Sequence, residues 1–365
     1  MNPSLLTKPC LWEKLQQENR PIFLYGTGNG ADKILDICEK YNINIEGVFA
    51  SSDFVRNRSF RNMSVKSIEE ITNSYGNDIV VLLAFGTTLE SVINNINQIA
   101  RKHTLYIPEV PLYESELFDR DFYKKNINDI ENAEKLFNDS HSLELYKNMV
   151  EFRLSGEPKY LKMVTTPVDM YSSLIDNEKI NSVIDCGAYK GDSAADIIEA
   201  LHPCNLIAME PDPKTFIKLT AYSSSVNDVE ITPLNYAVGA KKASVEFNSS
   251  GSRGSGSEGQ NKRGKTTTVN ITTIDSLNLS NVDLIKYDVE GDEFDAINGS
   301  LETIKKYSPA LSISVYHRSE DIFKLPLFIH KICPDYKFYL RRAPCIPAWD
   351  ISLLAIPDSK LKREP

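Results

Sequence analysis

The sequence predicts an α/β protein of two units, each a mostly parallel sheet covered by helices. Three observations carry this reading. Apolar runs of strand length alternate with stretches whose apolar residues recur at helical spacing. Two such strands end in a glycine turn that opens a helix, "IFLYGTGNGADKIL" at 22–35 and "VIDCGAYKGDSAADII" at 183–198. Each is the opening of a Rossmann-like half-fold. The 365 residues also exceed one ordinary core and suit about two domains.

The first unit spans residues 1–112. "PIFLYG" reads as a strand, "GADKILDICEKYN" as a helix and "INIEGVFAS" as a second strand. "SIEEITNSYG" is a short helix, "DIVVLLAFG" a third strand, and "TLESVINNINQIARKH" a helix leading to "TLYIP". Residues 113–175 are charged, Asn-rich and helical in pattern, and we expect a helical connector and cap there. The second unit, 176–365, alternates again. "SVIDCGA", "NLIAMEP", "VEITPLNYAVG", "ASVEFNS", "VDLIKYDVEG" and "PALSISVYH" read as strands. "DSAADIIEALH", "PKTFIKLTAYSSS", "DEFDAINGSLETIKKYS" and "SEDIFKLPLFIHKIC" read as helices. "YKFYLRR" and "ISLLAIP" close the chain as an antiparallel pair. One segment breaks the pattern, "NSSGSRGSGSEGQNKRGK" at 248–265. It is either a solvated loop or a lid over the active site, where Arg253, Lys262, Arg263 and Lys265 would favour an anionic substrate.

Composition excludes several classes. Hydrophobic content of 41% and charged content of 25% are those of a soluble globular protein. A net charge of -9 argues against non-specific binding to nucleic acid. The start, "MNPSLLTKPCLWEKL", lacks the uninterrupted apolar stretch of a signal peptide. The longest apolar run, "IVVLLAF" at 79–85, is far short of the about 20 residues of a membrane span. The six cysteines are scattered without a Cys-x-x-Cys pair, which fits a reducing, cytoplasmic setting and no zinc ribbon. Cys186 reads as a small core residue.

In an open parallel sheet, ligands bind beyond the carboxyl ends of the strands. Those ends are Asp185 to Asp192, Glu210 to Asp212, Asn235 to Ala237, Asp288 to Gly291, and Tyr316 to Arg318. Glu210 comes 19 residues after Gly191, where a carboxylate can accept both ribose hydroxyls of a nucleoside. A dinucleotide would need a second glycine where Tyr189 stands, and Asp192 in the first helical turn would repel its phosphate. A cofactor with a positive sulfonium and no phosphate fits better, with Asp185 as a further carboxylate on that side.

At this point a resemblance emerges. "VIDCGAYKGDSA", "IAMEPDP", "NYAVG", "TTIDSL", "LIKYDVEGDEFDAINGS" and "SISVYH" resemble, in order, the methyltransferase domain of the FkbM family, across residues 181–357. The family's usual turn is closer to "DVGANIGD", so Cys186 and Tyr189 are departures. The resemblance implies a methyltransferase-type, seven-stranded, mostly parallel sheet and S-adenosyl-L-methionine as cofactor. It implies O-methylation of a small-molecule or glycan acceptor, such as a sugar of a surface polysaccharide. Cofactor contacts are expected from Asp185, Gly187, Ala188, Tyr189, Gly191, Asp192, Ser193, Glu210, Pro211, Asn235, Ala237 and Asp288.

Methyl transfer to a hydroxyl needs in-line alignment and loss of a proton. His317 alone among five histidines sits at a strand end over this site. It either takes the acceptor's proton as a neutral imidazole or only hydrogen-bonds the substrate. Arg318 beside it would hold an anionic part of the acceptor. Asp292 and Glu293 read as helix capping, whereas Asp288 and Glu290 read as substrate-facing. Those two could orient hydroxyls, assist proton removal, or hold Mg²⁺ with His317.

The first turn, Gly26-Thr-Gly28-Asn-Gly30-Ala31, matches Gly-x-Gly-x-x-Ala, yet no carboxylate ends the second strand. Asp53 comes late, and Asp32 disfavours phosphate. This segment resembles the small Rossmann-like domain ahead of sugar-modifying transferases. It either binds a nucleotide or serves as a sheet domain for packing or homo-oligomerisation. Two rival readings of the whole are a non-catalytic sensor and a nicotinamide-dependent enzyme working from the first turn.

Overall fold

The computed structural model describes residues 8–51, 59–249 and 265–362. The N-terminal sheet contains β1 (Ile22–Tyr25), β2 (Gly47–Phe49), β3 (Ser59–Phe60), β4 (Met63–Lys66), β5 (Val80–Leu83) and β6 (Thr104–Tyr106). Its order is β3-β4-β2-β1-β5-β6, parallel throughout except for the β3–β4 hairpin. The sequence reading misses that hairpin. Its strands are two and four residues long, and its turn is carried by Arg61 and Asn62 at positive φ rather than by glycine.

The C-terminal sheet contains β7 (Ser182–Cys186), β8 (Asn205–Met209) and β9 (Glu230–Leu234). After β10 (Ala237–Val238), β11 (Ala243–Ser249) and β12 (Lys265–Thr272), it continues with β13 (Leu284–Tyr287), β14 (Ala310–Ser314), β15 (Lys337–Arg342) and β16 (Ile351–Ile356). The order is β15-β16-β14-β13-β7-β8-β9. The C-terminal pair is antiparallel, and β16 is also antiparallel to β14, so β16 is the one reversed strand of the seven. Chain order reverses beside β7, which pairs with β8 on one side and β13 on the other. That is the crevice where open sheets bind ligands.

Three details depart from the sequence reading. "VEITPLNYAVG" divides into β9 and β10, and β10, β12 and β11 form a separate small sheet. β12 goes unforeseen because its only aliphatic residues are Val269 and Ile271. The helix expected over "DEFDAINGSLETIKKYS" breaks into Glu293–Asn298 and Leu301–Tyr307. The break seats Gly299 where a Cβ would lie 2.1 Å from the Gly239 carbonyl oxygen. Residues 250–264, with Arg253, Lys262 and Arg263, and the side chain of Lys265 lie outside the described residues, and with them the expected lid.

Helices Arg120–Glu134 and Ser140–Ser155 join the two sheets by packing rather than by a loose tether. Phe122 meets Phe323 with ring centroids 6.1 Å apart. The start of the second helix covers the outer edge of β15. Asn138 exchanges hydrogen bonds with Phe338, Ser142 Oγ accepts the Leu340 amide at 2.8 Å, and Asp139 pairs with Arg341 at 2.6 Å. One hydrophobic cluster consequently runs from Trp12 and Phe23 through Tyr146 to Ile285 and Phe338, and a second lies across the other face of the C-terminal sheet. All six cysteines are free thiols. No helix among the described residues is long and apolar enough to cross a membrane.

Candidate active site

The carboxyl ends of β7, β8, β13 and β14 open onto one cavity of about 250 Å³. The turn after β7 forms its floor. Gly187 adopts φ +85°, and a Cβ there would stand 1.9 Å from the Asp288 carbonyl oxygen. The β7 and β13 ends thus approach as closely as backbone allows, which only glycine permits. Tyr189 also takes a positive φ and lines the cavity with Ser193.

Glu210 ends β8 and faces the same space, 7% exposed. Its Oε1 accepts the Asp212 amide at 2.8 Å. Burial pushes the carboxyl up to about 8, against the backbone N–H groups of Asp212 and Tyr189 that pull it down. Asn235 holds the strand end from behind by donating to the Glu210 and Pro211 carbonyls.

Opposite stand Asp288 and Glu290. Lys286 and Asp288 share one face of β13, and Lys286 Nζ bridges Asp185 Oδ1 at 3.1 Å and Asp288 Oδ2 at 3.4 Å. Ser314 and Tyr316 donate to Asp288 Oδ1 at 2.8 and 3.3 Å. Burial alone would raise Asp288, but Lys286 and then His317 outweigh it and hold the carboxyl at about 2. Glu290 takes a positive φ, and Tyr113 of the connector donates its hydroxyl to Glu290 Oε2. Seven carboxylates line the cavity, those of Asp192, Asp196, Glu210, Asp288, Glu290, Asp292 and Asp350. Lys286 is the one lysine or arginine among the described residues that faces them.

Several expected site residues are placed elsewhere. His317 is 1% exposed and does not line the cavity. Its Nδ1 meets Glu293 Oε1 at 2.9 Å, and its Nε2 points at Asp288 and Glu290. Burial would lower its pKa, but Glu293, with Glu290 and Asp288, pushes it up to about 10. The neutral imidazole reaching the acceptor is therefore corrected to a buried ring behind the carboxylates. Arg318 does not hold an anion at the cavity. Its guanidinium donates to the carbonyls of Gly291 at 3.0 Å and Glu114, pinning the connector. Asp185 is fully buried against Lys286 and Ser193, so it supports the floor without facing a ligand. Ala188 is fully buried, Gly191 packs against Tyr222, and Asn235 is turned to the backbone. None of the three lines the cavity. Gly187, Tyr189, Asp192, Ser193, Glu210, Pro211, Ala237, Asp288 and Glu290 do line it. Arg253 lies outside the described residues.

Other residues at the site escape the sequence reading. Glu293 does more than cap, since its Oε1 accepts the Val289 amide at 3.0 Å and orients His317. Lys286 was legible as a lysine inside an apolar central strand, which requires a partner. Tyr236, Tyr316, Asp350 and Ser352 also face the cavity. No sequence signal marks Tyr113, which is 177 residues from its partner.

The first glycine turn lies against the end of β5, at Ala84 and Phe85. At the end of β5, a Cβ on Gly86 would lie 2.1 Å from the Trp349 ring. Thr87 and Ile346 exchange backbone hydrogen bonds at 2.7 and 3.0 Å. The carboxyl edge of the N-terminal sheet is thus packed against the β15–β16 loop, whose ends, Ala343 and Asp350, line the main cavity.

Residues 185–340 match the family described as the methyltransferase FkbM domain. This part of the chain is an FkbM methyltransferase domain. Methyltransferase FkbM from Methylobacillus flagellatus KT has the same fold over 96% of this chain and 92% of its own, with 20% identity and a TM-score of 0.70. The likeness therefore extends beyond the FkbM domain to the N-terminal sheet and connector. An rRNA methylase from Streptococcus thermophilus aligns with 53% of this chain and 98% of its own, at 10% identity and a TM-score of 0.35. A Streptococcus mutans protein in complex with SAH aligns with 55% of this chain and 100% of its own, at 11% identity and a TM-score of 0.34. No curated protein matches the sequence.

Proposed function

We propose that this methyltransferase moves a methyl group from S-adenosyl-L-methionine to a hydroxyl of a sugar or glycan. The observation that carries the reading is the cavity's charge. Among the described residues, seven carboxyl groups against one ammonium favour a cationic sulfonium and disfavour the pyrophosphate of a dinucleotide. The same imbalance favours a neutral sugar hydroxyl over a phosphate-bearing nucleotide-sugar. In this reading Glu210 accepts the cofactor's ribose hydroxyls, and the Gly187 turn admits its methionine end beside β7. Asp288 orients the acceptor. Tyr113 donates to Glu290 Oε2, and we assign Glu290 Oε1 to the acceptor's proton. Incubating the protein with S-adenosyl-L-methionine and panels of neutral sugars, nucleotide-sugars and oligosaccharides tests this. Release of S-adenosylhomocysteine and a mass gain of one methyl group on a neutral glycan are expected. Transfer confined to amines or thiols would overturn the hydroxyl assignment.

Glu210→Ala should weaken cofactor affinity by about 1.5–3 kcal/mol, the loss of charged hydrogen bonds in a buried site. Calorimetry reads this directly, and unchanged affinity would move the cofactor elsewhere. The pH dependence has a definite sign. Without ligand, Glu210 holds its proton up to about pH 8. Ribose hydroxyls and a sulfonium favour the ionised carboxylate, so binding below that pH releases a proton. Affinity should rise between about pH 6 and 8 by up to roughly tenfold per unit, then level off. Glu210→Gln should flatten the profile, and a flat profile in the unmodified protein would refute the linkage.

A further inference from the structure

We propose that His317, Asp288 and Glu290 form a site for a divalent cation of the manganese or magnesium class, with Glu293 as the residue that orients the histidine. The argument begins at the buried imidazole. Glu293 Oε1 is fixed by the amides of Val289 at 3.0 Å and Gly291 at 3.4 Å, and it faces His317 Nδ1 at 2.9 Å. A carboxylate can only accept there, so Nδ1 keeps its hydrogen in either protonation state, and a cation at Nε2 displaces the proton that nitrogen otherwise carries. That nitrogen has no hydrogen-bond partner among the described residues. It stands 3.7 Å from Asp288 Oδ1 and 3.6 Å from Glu290 Oε2.

These separations are too long for hydrogen bonds. They are close to the spacing of ligands around one ion. Bonds of about 2.1 Å place neighbouring ligands about 3 Å apart at right angles, so each carboxylate oxygen has about half an ångström to close on Nε2. The supporting contacts are those of a metal-binding histidine, whose second nitrogen donates to a carboxylate. Asp288 Oδ1 is itself held by Ser314 and Tyr316. Ligand atoms of Asp288, Glu293 and His317 all fall within 4.8 Å of one another, and Glu290 joins them through its approach to His317.

Charge points the same way. Asp185, Asp288, Glu290 and Glu293 gather around Lys286 and His317, four carboxyl groups to two basic ones. A divalent cation offsets most of that excess. One imidazole and two carboxylates suit Mn²⁺ better than a cage of oxygens alone would. The proposal does not rest on the methyl-transfer reading, because cation binding is measured without cofactor or acceptor.

Mn²⁺ alone, added to chelator-stripped full-length protein, is the probe. Electron paramagnetic resonance should show one bound ion per chain, with pulsed measurements detecting nitrogen coupling from one imidazole. His317→Gln should abolish the coupling and weaken binding at least tenfold. Glu293→Gln should weaken binding by about tenfold while keeping the coupling, as befits a positioning residue. His141→Gln is the control, since its ring also has a nitrogen without a partner among the described residues, and it should change neither readout. Should His317→Gln not fold, Asp288→Asn is read for affinity instead, and a loss of at least tenfold supports the site. The proposal is overturned by no stoichiometric binding at millimolar Mn²⁺, by binding without nitrogen coupling, or by coupling that disappears with His141 instead. Unchanged affinity in the variant that folds overturns it too.

Discussion

Replacing Glu290 with glutamine should lower kcat by about 10²–10³-fold and leave cofactor affinity within about twofold of the unmodified protein. The two parts of this expectation come from different walls of the cavity. Glu290 ends the β13 side with Asp288, whereas Glu210 ends β8 across from it. Glutamine keeps the size of the side chain and can still accept the Tyr113 hydroxyl, but it cannot take a proton at neutral pH. Asp288 cannot substitute well, because Lys286 and His317 hold its carboxyl at about 2, where it is a weak base. Steady-state kinetics on the acceptor and calorimetry on the cofactor test the two halves separately. A kcat within threefold would mean that Glu290 only positions the hydroxyl. A parallel loss of cofactor affinity would mean that both walls belong to one ligand.

Gly187→Ala should abolish measurable cofactor binding and lower the melting temperature. At φ +85° a side chain is strained by about 1–3 kcal/mol before any contact is counted. The new methyl group would also lie 1.9 Å from the Asp288 carbonyl oxygen, and backbone cannot step aside as a flexible side chain can. Overpacking of this kind costs about another 1–3 kcal/mol. The strain is relieved only by separating the β7 and β13 ends, which displaces the turn and both carboxylates of β13. Thermal unfolding should fall by roughly 5–10 °C. Near-normal cofactor binding in a folded Gly187→Ala protein would show that the turn is not where the cofactor lies.

The framework was legible because strands and their ends obey short-range rules. Glu210 could be read from its position alone, as a carboxylate at a strand end at the right distance from a glycine turn. Two roles, His317 as a proton acceptor reaching the substrate and Arg318 as an anion holder, were misread for a related reason. The two residues lie three and four residues past the end of β14, where the two-residue alternation of a strand no longer tells which way a side chain points. His317 turned inward to Glu293, and Arg318 turned to the connector. Tyr113 could not have been found by spacing, since only the packing of the connector brings it to Glu290. The hidden strand β12 and the broken helix at Gly299 share another cause. Both depend on the small sheet of β10, β11 and β12, which no local periodicity announces.

The seat of Trp349 on Gly86 bears on recombination between relatives. A chimera that joins a foreign N-terminal module at residue 112 would bring its own residue opposite that indole, and anything larger than glycine collides with the ring. The collision would be transmitted along the β15–β16 loop to Ala343 and Asp350 in the cavity wall. The natural unit of exchange is therefore not a domain in the usual sense. It is the pair of segments 84–87 and 343–350, inherited together with Tyr113, so that the wall of the cavity is supported from both halves of the chain.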